Sequence, residues 1–356
     1  MPPAYPVFDG HNDSLTRYFD IDPEGASFLV GHPRCRLDLP RALAGGFKGG
    51  LFAVFTDPPV GDPERDMTWG VTFTDKGFTS RLRGALDPVF CMQYTDRVIE
   101  YLRGLVDRSK GALRWVKGIS DLEQAWGSDA LAVVLHIEGA ECIRKDLSNL
   151  KRYYDLGVRS LGITWSRPNA FGQGVAFGCP SSPDQGPGLT EAGKSLVREC
   201  NRLGVVVDLA HLNEKGFFDV AALSTKPLVV SHSNAHALCP SARNLTDAQL
   251  DAVKRSNGIV GVNFEPSMLR PDGKPGEPAT LAHLADHIEY IARRAGVEHV
   301  GLGSDFDGAG TPEGLEDASC LTALWPELET RGFVRDDLDK IAHGNWMRIY
   351  RATMVS

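Results

Sequence analysis

Eight short apolar runs, most of them followed by a segment of helical pattern, constrain this chain more than any other feature. They read YPVFDG, GGLFAVFT, LAVVLHIEG, VRSLGITW, GVVVDLAH, PLVVSHS, GIVGVNF and VGLGSDF. They lack the alternation of apolar and polar residues that marks a half-exposed strand. Each therefore reads as a strand buried on both faces, as in a parallel sheet. Between them lie amphipathic segments such as YTDRVIEYLRGLVDRS and LAHLADHIEYIARRAG. LTEAGKSLVRECNRLG and LTDAQLDAVKRSNG each open at a Thr able to cap a helix and close on Gly. Eight such units predict an α/β fold, the (β/α)8 TIM barrel. A doubly wound open sheet is the rival arrangement. Its dinucleotide-binding version is disfavoured, because no GxGxxG follows the first strand. No linker, charge block or repeat divides the 356 residues, so residues 1–356 are expected to form one barrel domain. Two Pro/Gly-rich stretches, 56–88 and 167–188, interrupt the pattern as long irregular loops.

The polar residues fall at one end of these strands. His11 and Asp13 follow the first run, Glu138 ends the third, and His211 and His232 end the fifth and sixth. Asp305 ends the eighth. A barrel of this type builds its active site at the C-terminal ends of its strands, so residues distant in sequence converge there. Imidazole and carboxylate together suit zinc and other divalent transition metals. An even split gives two metals, with His11 and Asp13 on one, His211 and His232 on the other, and Glu138 bridging. Two metals about 3.5–4 Å apart can share a hydroxide whose parent water has a pKa lowered toward neutrality. Each residue also has an ordinary reading: a hydrogen-bonded structural histidine, Asp305 as a helix cap, Glu138 paired with an arginine. The conjunction of five metal-type residues at the same end of four strands favours the metal site. His136 shares a face with Glu138 and is expected one layer deeper, or bonded to a ligand.

Bulk properties exclude other classes. A formal net charge of −8 without a dense Lys/Arg run argues against nucleic acid. No apolar stretch approaches the ~20 residues of a membrane span, and the start MPPAYPVFDG lacks a signal peptide's basic and apolar regions. The C-terminus lacks the apolar tail of a lipid-anchor signal. A cytoplasmic location is expected. Seven widely spaced cysteines without CxxC read as reduced thiols.

The motifs DGHND, IEG, DLAH, VVSHS, RNLTD, GSDFDG and PEGLED, with GNWMRIY near the end, together resemble the membrane dipeptidase (renal dipeptidase) family of zinc peptidases, within the metal-dependent amidohydrolase superfamily. The resemblance implies a binuclear zinc dipeptidase. It makes His11, Asp13 and Glu138 ligands of one Zn2+ and Glu138, His211 and His232 ligands of the other. It implies that Arg243 holds the free carboxylate of a small dipeptide-like substrate, with a planar fork suited to a bidentate grip. It implies that Asp305 handles the proton of the attacking water. Substrates with a D-residue at the carboxyl end and a homodimeric assembly are further implications. One departure stands out. Where many members have a histidine that polarises the scissile carbonyl, this chain has Trp165, within LGITWSRPNAFGQG. Trp offers one N–H donor and no basic nitrogen. Either a metal or Arg167 compensates, or the substrate is another carboxylate-bearing amide, lactone or ester, or Trp165 is simply a wall of the pocket.

Overall fold

Where the sequence has its apolar runs, the computed structural model, which describes residues 5–65, 70–75 and 77–354, has eight parallel strands. They are β1 (Val7–Asn12), β2 (Phe47–Phe55), β3 (Leu131–Glu138), β4 (Val158–Gly162), β5 (Val206–Asp208), β6 (Val229–Ser233), β7 (Ile259–Val262) and β8 (Val300–Leu302). Each pairs with its neighbour in chain order, and β1 pairs with β8, so the sheet closes into a (β/α)8 barrel. The longest ladder runs between β2 and β3, from Gly49–Ala132 to Phe55–Glu138. The ladders of β1 and β6 each shift register near their ends, between Asp9 and Asn12 and between Val230 and Ser233. Such irregularities re-aim side chains, and these two flank His11 and His232.

Strand alternation divides the core in two. Phe8, Leu51, Val134, Val206, Val229 and Ile259 form a cluster with Trp346 and Tyr350 of the closing helix Asn345–Thr353. Alternate positions, such as Val133, Leu135 and Val230, pack in the larger cluster shared with the surrounding helices. Helix ends follow local chemistry. Thr190 caps Glu191–Leu203 by accepting from Gly193 N, and Gly204 closes it with φ 73°. Thr246 and Gln249 form a reciprocal capping box. That helix stops at Arg255, before the Gly258 expected to end it. The helix expected from Tyr94 begins earlier, at Pro88, because Asp87 accepts from Val89 N and Phe90 N.

The two irregular stretches are more ordered than expected. The first contains strands Thr72–Thr74 and Gly77–Thr79, with residues 66–69 and 76 outside the described residues. The second contains Gly178–Cys179, and the three strands pair antiparallel as one flap. A further short strand, Leu113–Trp115, lies against the start of β3 outside the ring. Strands of two or three residues carry too little pattern to be read in sequence. All seven cysteines are free. Among the described residues, no helix is long and apolar enough to cross a membrane.

Candidate active site

The polar strand ends meet at the C-terminal mouth of the barrel. Glu138, the last residue of β3, lies at the centre. Its Oε2 is 3.7 Å from His11 Nε2, and its Oε1 lies 3.1 Å from His211 Nε2 and 3.6 Å from His232 Nε2. Asp13 approaches His11 Nε2 from the other side at 3.9 Å. Donor atoms of His11, Glu138 and His232 fall within 4.8 Å of one another, as do those of His11, Asp13 and Asp305. All five expected ligands and Asp305 are thus brought together.

Buried polar groups normally find partners, yet both ring nitrogens of His11 and Oδ1 of Asp13 are buried without a hydrogen bond. Burial alone would lower the His11 pKa, but the Glu138, Asp13 and Asp305 carboxylates outweigh it and raise it to about 10. A field that holds a proton this firmly favours any cation. Burial holds Glu138 well above the usual carboxylate range, against the pull of His11. It also pushes His211 and His232 well down, toward neutral rings with lone pairs to offer. The donor set therefore fits divalent metal ions.

The supporting shell fixes how those rings point. Ser231 Oγ donates its single proton to Asp208 Oδ2 at 2.6 Å. It must then accept from His232 Nδ1, 2.8 Å away, which leaves Nε2 bare and facing Glu138. Ser166 Oγ lies 2.8 Å from His211 Nδ1, and the two Nε2 atoms stand 3.0 Å apart. Asp9 accepts from Ser304 N and Oγ, securing the chain beside Asp305. Sequence reasoning missed Asp9, Asp208, Ser166, Ser231 and Ser304. A signal was present, because four of them lie within three residues of His11, His211, His232 or Asp305 in the same motifs. His136 does lie deeper, on Ser160 Oγ at 2.9 Å, with its pKa lowered to about 3 by burial.

Asp305 follows β8 in a left-handed turn, φ 59°, with no helix to cap. Its Oδ2 accepts from Asn263 Nδ2 at 2.9 Å, and burial raises its pKa to about 6 despite the attraction of His11. Arg243 is buried beyond β6; its Nη2 donates to His232 O, while its Nε has no partner. Both line a cavity of about 490 Å³ together with Glu138, His211, Trp165 and Arg167. Trp165 lies against His211, ring centroids 5.6 Å apart. Arg167 is fully buried; it donates to Thr56 O and lies 3.2 Å from Glu141. A larger groove, about 970 Å³, opens at the opposite end of the barrel and contains none of these residues.

Comparison with known proteins agrees with this geometry. The family model described as membrane dipeptidase (peptidase family M19) matches residues 3–355. Dipeptidase aclJ of Aspergillus oryzae is 39% identical over 351 residues, 97% of this chain and 77% of that protein. An uncharacterised protein in the pqqA 5′ region of Klebsiella pneumoniae is 44% identical over 250 residues, 70% of this chain and 92% of that one. A metallo peptidase from Rhodobacter sphaeroides, solved with a phosphinate mimic of the dipeptide L-Ala-D-Ala, superposes with a TM-score of 0.93. It is 39% identical, with 98% of this chain and 99% of that chain covered.

Proposed function

This chain belongs to the membrane dipeptidase family, peptidase family M19, and from that premise we propose that it hydrolyses the peptide bond of small dipeptides using two divalent metal ions, zinc in the first instance. The observation that carries the reading is one cavity lined by Asp13, Glu138, His211 and Asp305, with the unpartnered His11 ring beneath them, and by Arg243, whose Nε is also without a partner. His11, Asp13 and Glu138 would hold one ion, and Glu138, His211 and His232 the other. Bound there, the ions would lower the pKa of an attacking water and polarise the scissile carbonyl.

The chain's own groups do the rest. Arg243 pairs with the substrate's terminal carboxylate and so fixes where the carbonyl lies. Burial strengthens that charge-assisted contact. Asp305, with Oδ2 occupied by Asn263, takes the water's proton on Oδ1 and returns it to the leaving amine. Because the carboxylate and carbonyl supply the grip, a carboxyl-terminal D-residue is accommodated as well as an L-residue. The Rhodobacter relative's L-Ala-D-Ala mimic supports this extension.

The test is hydrolysis of L-L and L-D dipeptides by zinc-loaded protein, with C-terminally amidated controls. Turnover of the free dipeptides alone is expected. Arg243→Ala should raise KM for free dipeptides by about 10- to 100-fold and leave amidated ones little changed. Equal effects on both would remove Arg243 from carboxylate recognition. A second reading rests on Trp165, which stands beside His211 without a basic nitrogen: hydrolysis of another carboxylate-bearing amide, lactone or ester. It gains if protein carrying two metals turns over no dipeptide.

A further inference from the structure

The cavity has one wall made almost entirely of rings. Phe55 at the end of β2, Trp165 after β4, and Phe78 and Phe177 from the flap all line it. Trp165 is the hub, 5.0 Å from Phe55 and 5.7 Å from Phe177 between centroids. The guanidinium of Arg167 stands 4.9 Å from the Trp165 ring and 5.2 Å from Phe55. Thr56 O and Glu141 hold that cation, which is only 1% exposed. A desolvated cation–π contact of this kind fixes the rings in place, so little entropy is lost when a ligand packs on them.

The wall's position relative to Arg243 follows from the ring of strands. Arg243 comes from the segment after β6, and Phe55 ends β2, four strands away and so on the opposite side of the barrel. A dipeptide held at Arg243 by its carboxylate, with its carbonyl over Glu138, extends its amino-terminal residue toward β2 and β4. That direction leads to Phe55 and Trp165, and Phe177 closes the wall from the flap, whose Gly178 O accepts from Ala242 N beside Arg243.

From this we infer that the Phe55–Trp165–Phe177 wall is a specificity subsite for a bulky apolar or aromatic side chain on the amino-terminal residue of the substrate. The inference rests on the dipeptidase reading above and names the substrate class within it. In this view the ring at position 165 exchanges a polar contact for apolar area. A basic side chain is the rival occupant, because Asp20 and Asp57 also line the cavity.

The experiment compares kcat/KM of zinc-loaded enzyme on dipeptides ending in Ala, with Gly, Leu, Phe or Lys as the first residue. Leu and Phe should exceed Gly and Lys by about 10-fold or more, the discrimination typical of an apolar pocket. Trp165→Ala should collapse the Phe-to-Gly ratio, while Trp165→Phe retains most of it. Phe177→Ala provides the same readout should Trp165→Ala fail to fold. A flat profile, a preference for Lys, or an unchanged ratio in both alanine variants overturns the subsite. In each of those cases dipeptides are still cleaved and the dipeptidase reading stands. Failure to cleave any dipeptide overturns both.

Discussion

At the residue scale, the site depends on groups that never touch substrate. Ser231 has one proton and two claimants, and the carboxylate of Asp208 takes it. His232 is thereby left with its lone pair on Nε2, toward Glu138. Ser231→Ala should therefore weaken metal binding by about 10- to 100-fold while leaving circular dichroism unchanged. Chelator competition measures this, and wild-type affinity would sink the tautomer argument. Gly308 makes a similar point by close approach. A β-carbon there would stand 1.9 Å from Asp13 Oδ2 and 2.5 Å from Asp305 Oδ1. Gly308→Ala should displace Asp13 and reduce the metal bound per chain, read by elemental analysis; retention of two tightly held metals would contradict it. The donors themselves were legible in sequence, since His, Asp or Glu at the end of an apolar strand is anomalous. Their pairwise contacts were not, because Glu138 and His211 lie 73 positions apart in the chain.

Among elements, the helix Leu281–Ala295 carries His287, a residue that no sequence motif singles out. Its Nδ1 accepts from Ala235 N and its Nε2 donates to Leu269 O, both at 3.0 Å. One imidazole thus ties the segments after β6 and β7 to this helix. Burial lowers its pKa from 6.5 to about 4, opposed first by the bond to Leu269 O and then by Asp286. The folded pKa lies below the unfolded one, so its contribution is complete above pH 6.5. It falls as the pH drops from 6.5 toward 4, by about 3 kcal/mol in all. His287→Gln should shrink the loss of stability between pH 7 and 4.5, measured by denaturant midpoints. An identical pH dependence in variant and wild type would contradict this role. The flap shows the opposite limit of legibility. Its strands are two or three residues long and join residues about 100 positions apart, such as Phe78 and Cys179. Neither period nor turn chemistry announces such a pairing.

At the scale of the whole molecule, the last helix completes the barrel. Trp346 is fully buried among the inward-facing strand residues and donates from Nε1 to Leu302 O at 3.1 Å. Gly10 and Gly301 leave the space it occupies: β-carbons there would come within 2.3 Å and 2.5 Å of its ring. Trp346→Ala should cost roughly 3–5 kcal/mol in unfolding free energy, because the barrel walls cannot collapse into the void. The denaturant midpoint checks this, and a loss under about 1 kcal/mol would show that the helix is dispensable.

By itself the sequence determined the number and order of the strands and the chemistry placed at their ends. A strand buried on both faces demands an unbroken apolar run, so its limits and any polar terminus stand out locally. Tertiary structure alone decided how those termini meet, which serine fixes which histidine, how two irregular stretches pair into a flap, and which rings line the cavity with Arg243. Those facts depend on distances between residues far apart in the chain. Only closure of the barrel, which brings β1 against β8 and sets β2 across from β6, gives those distances their values.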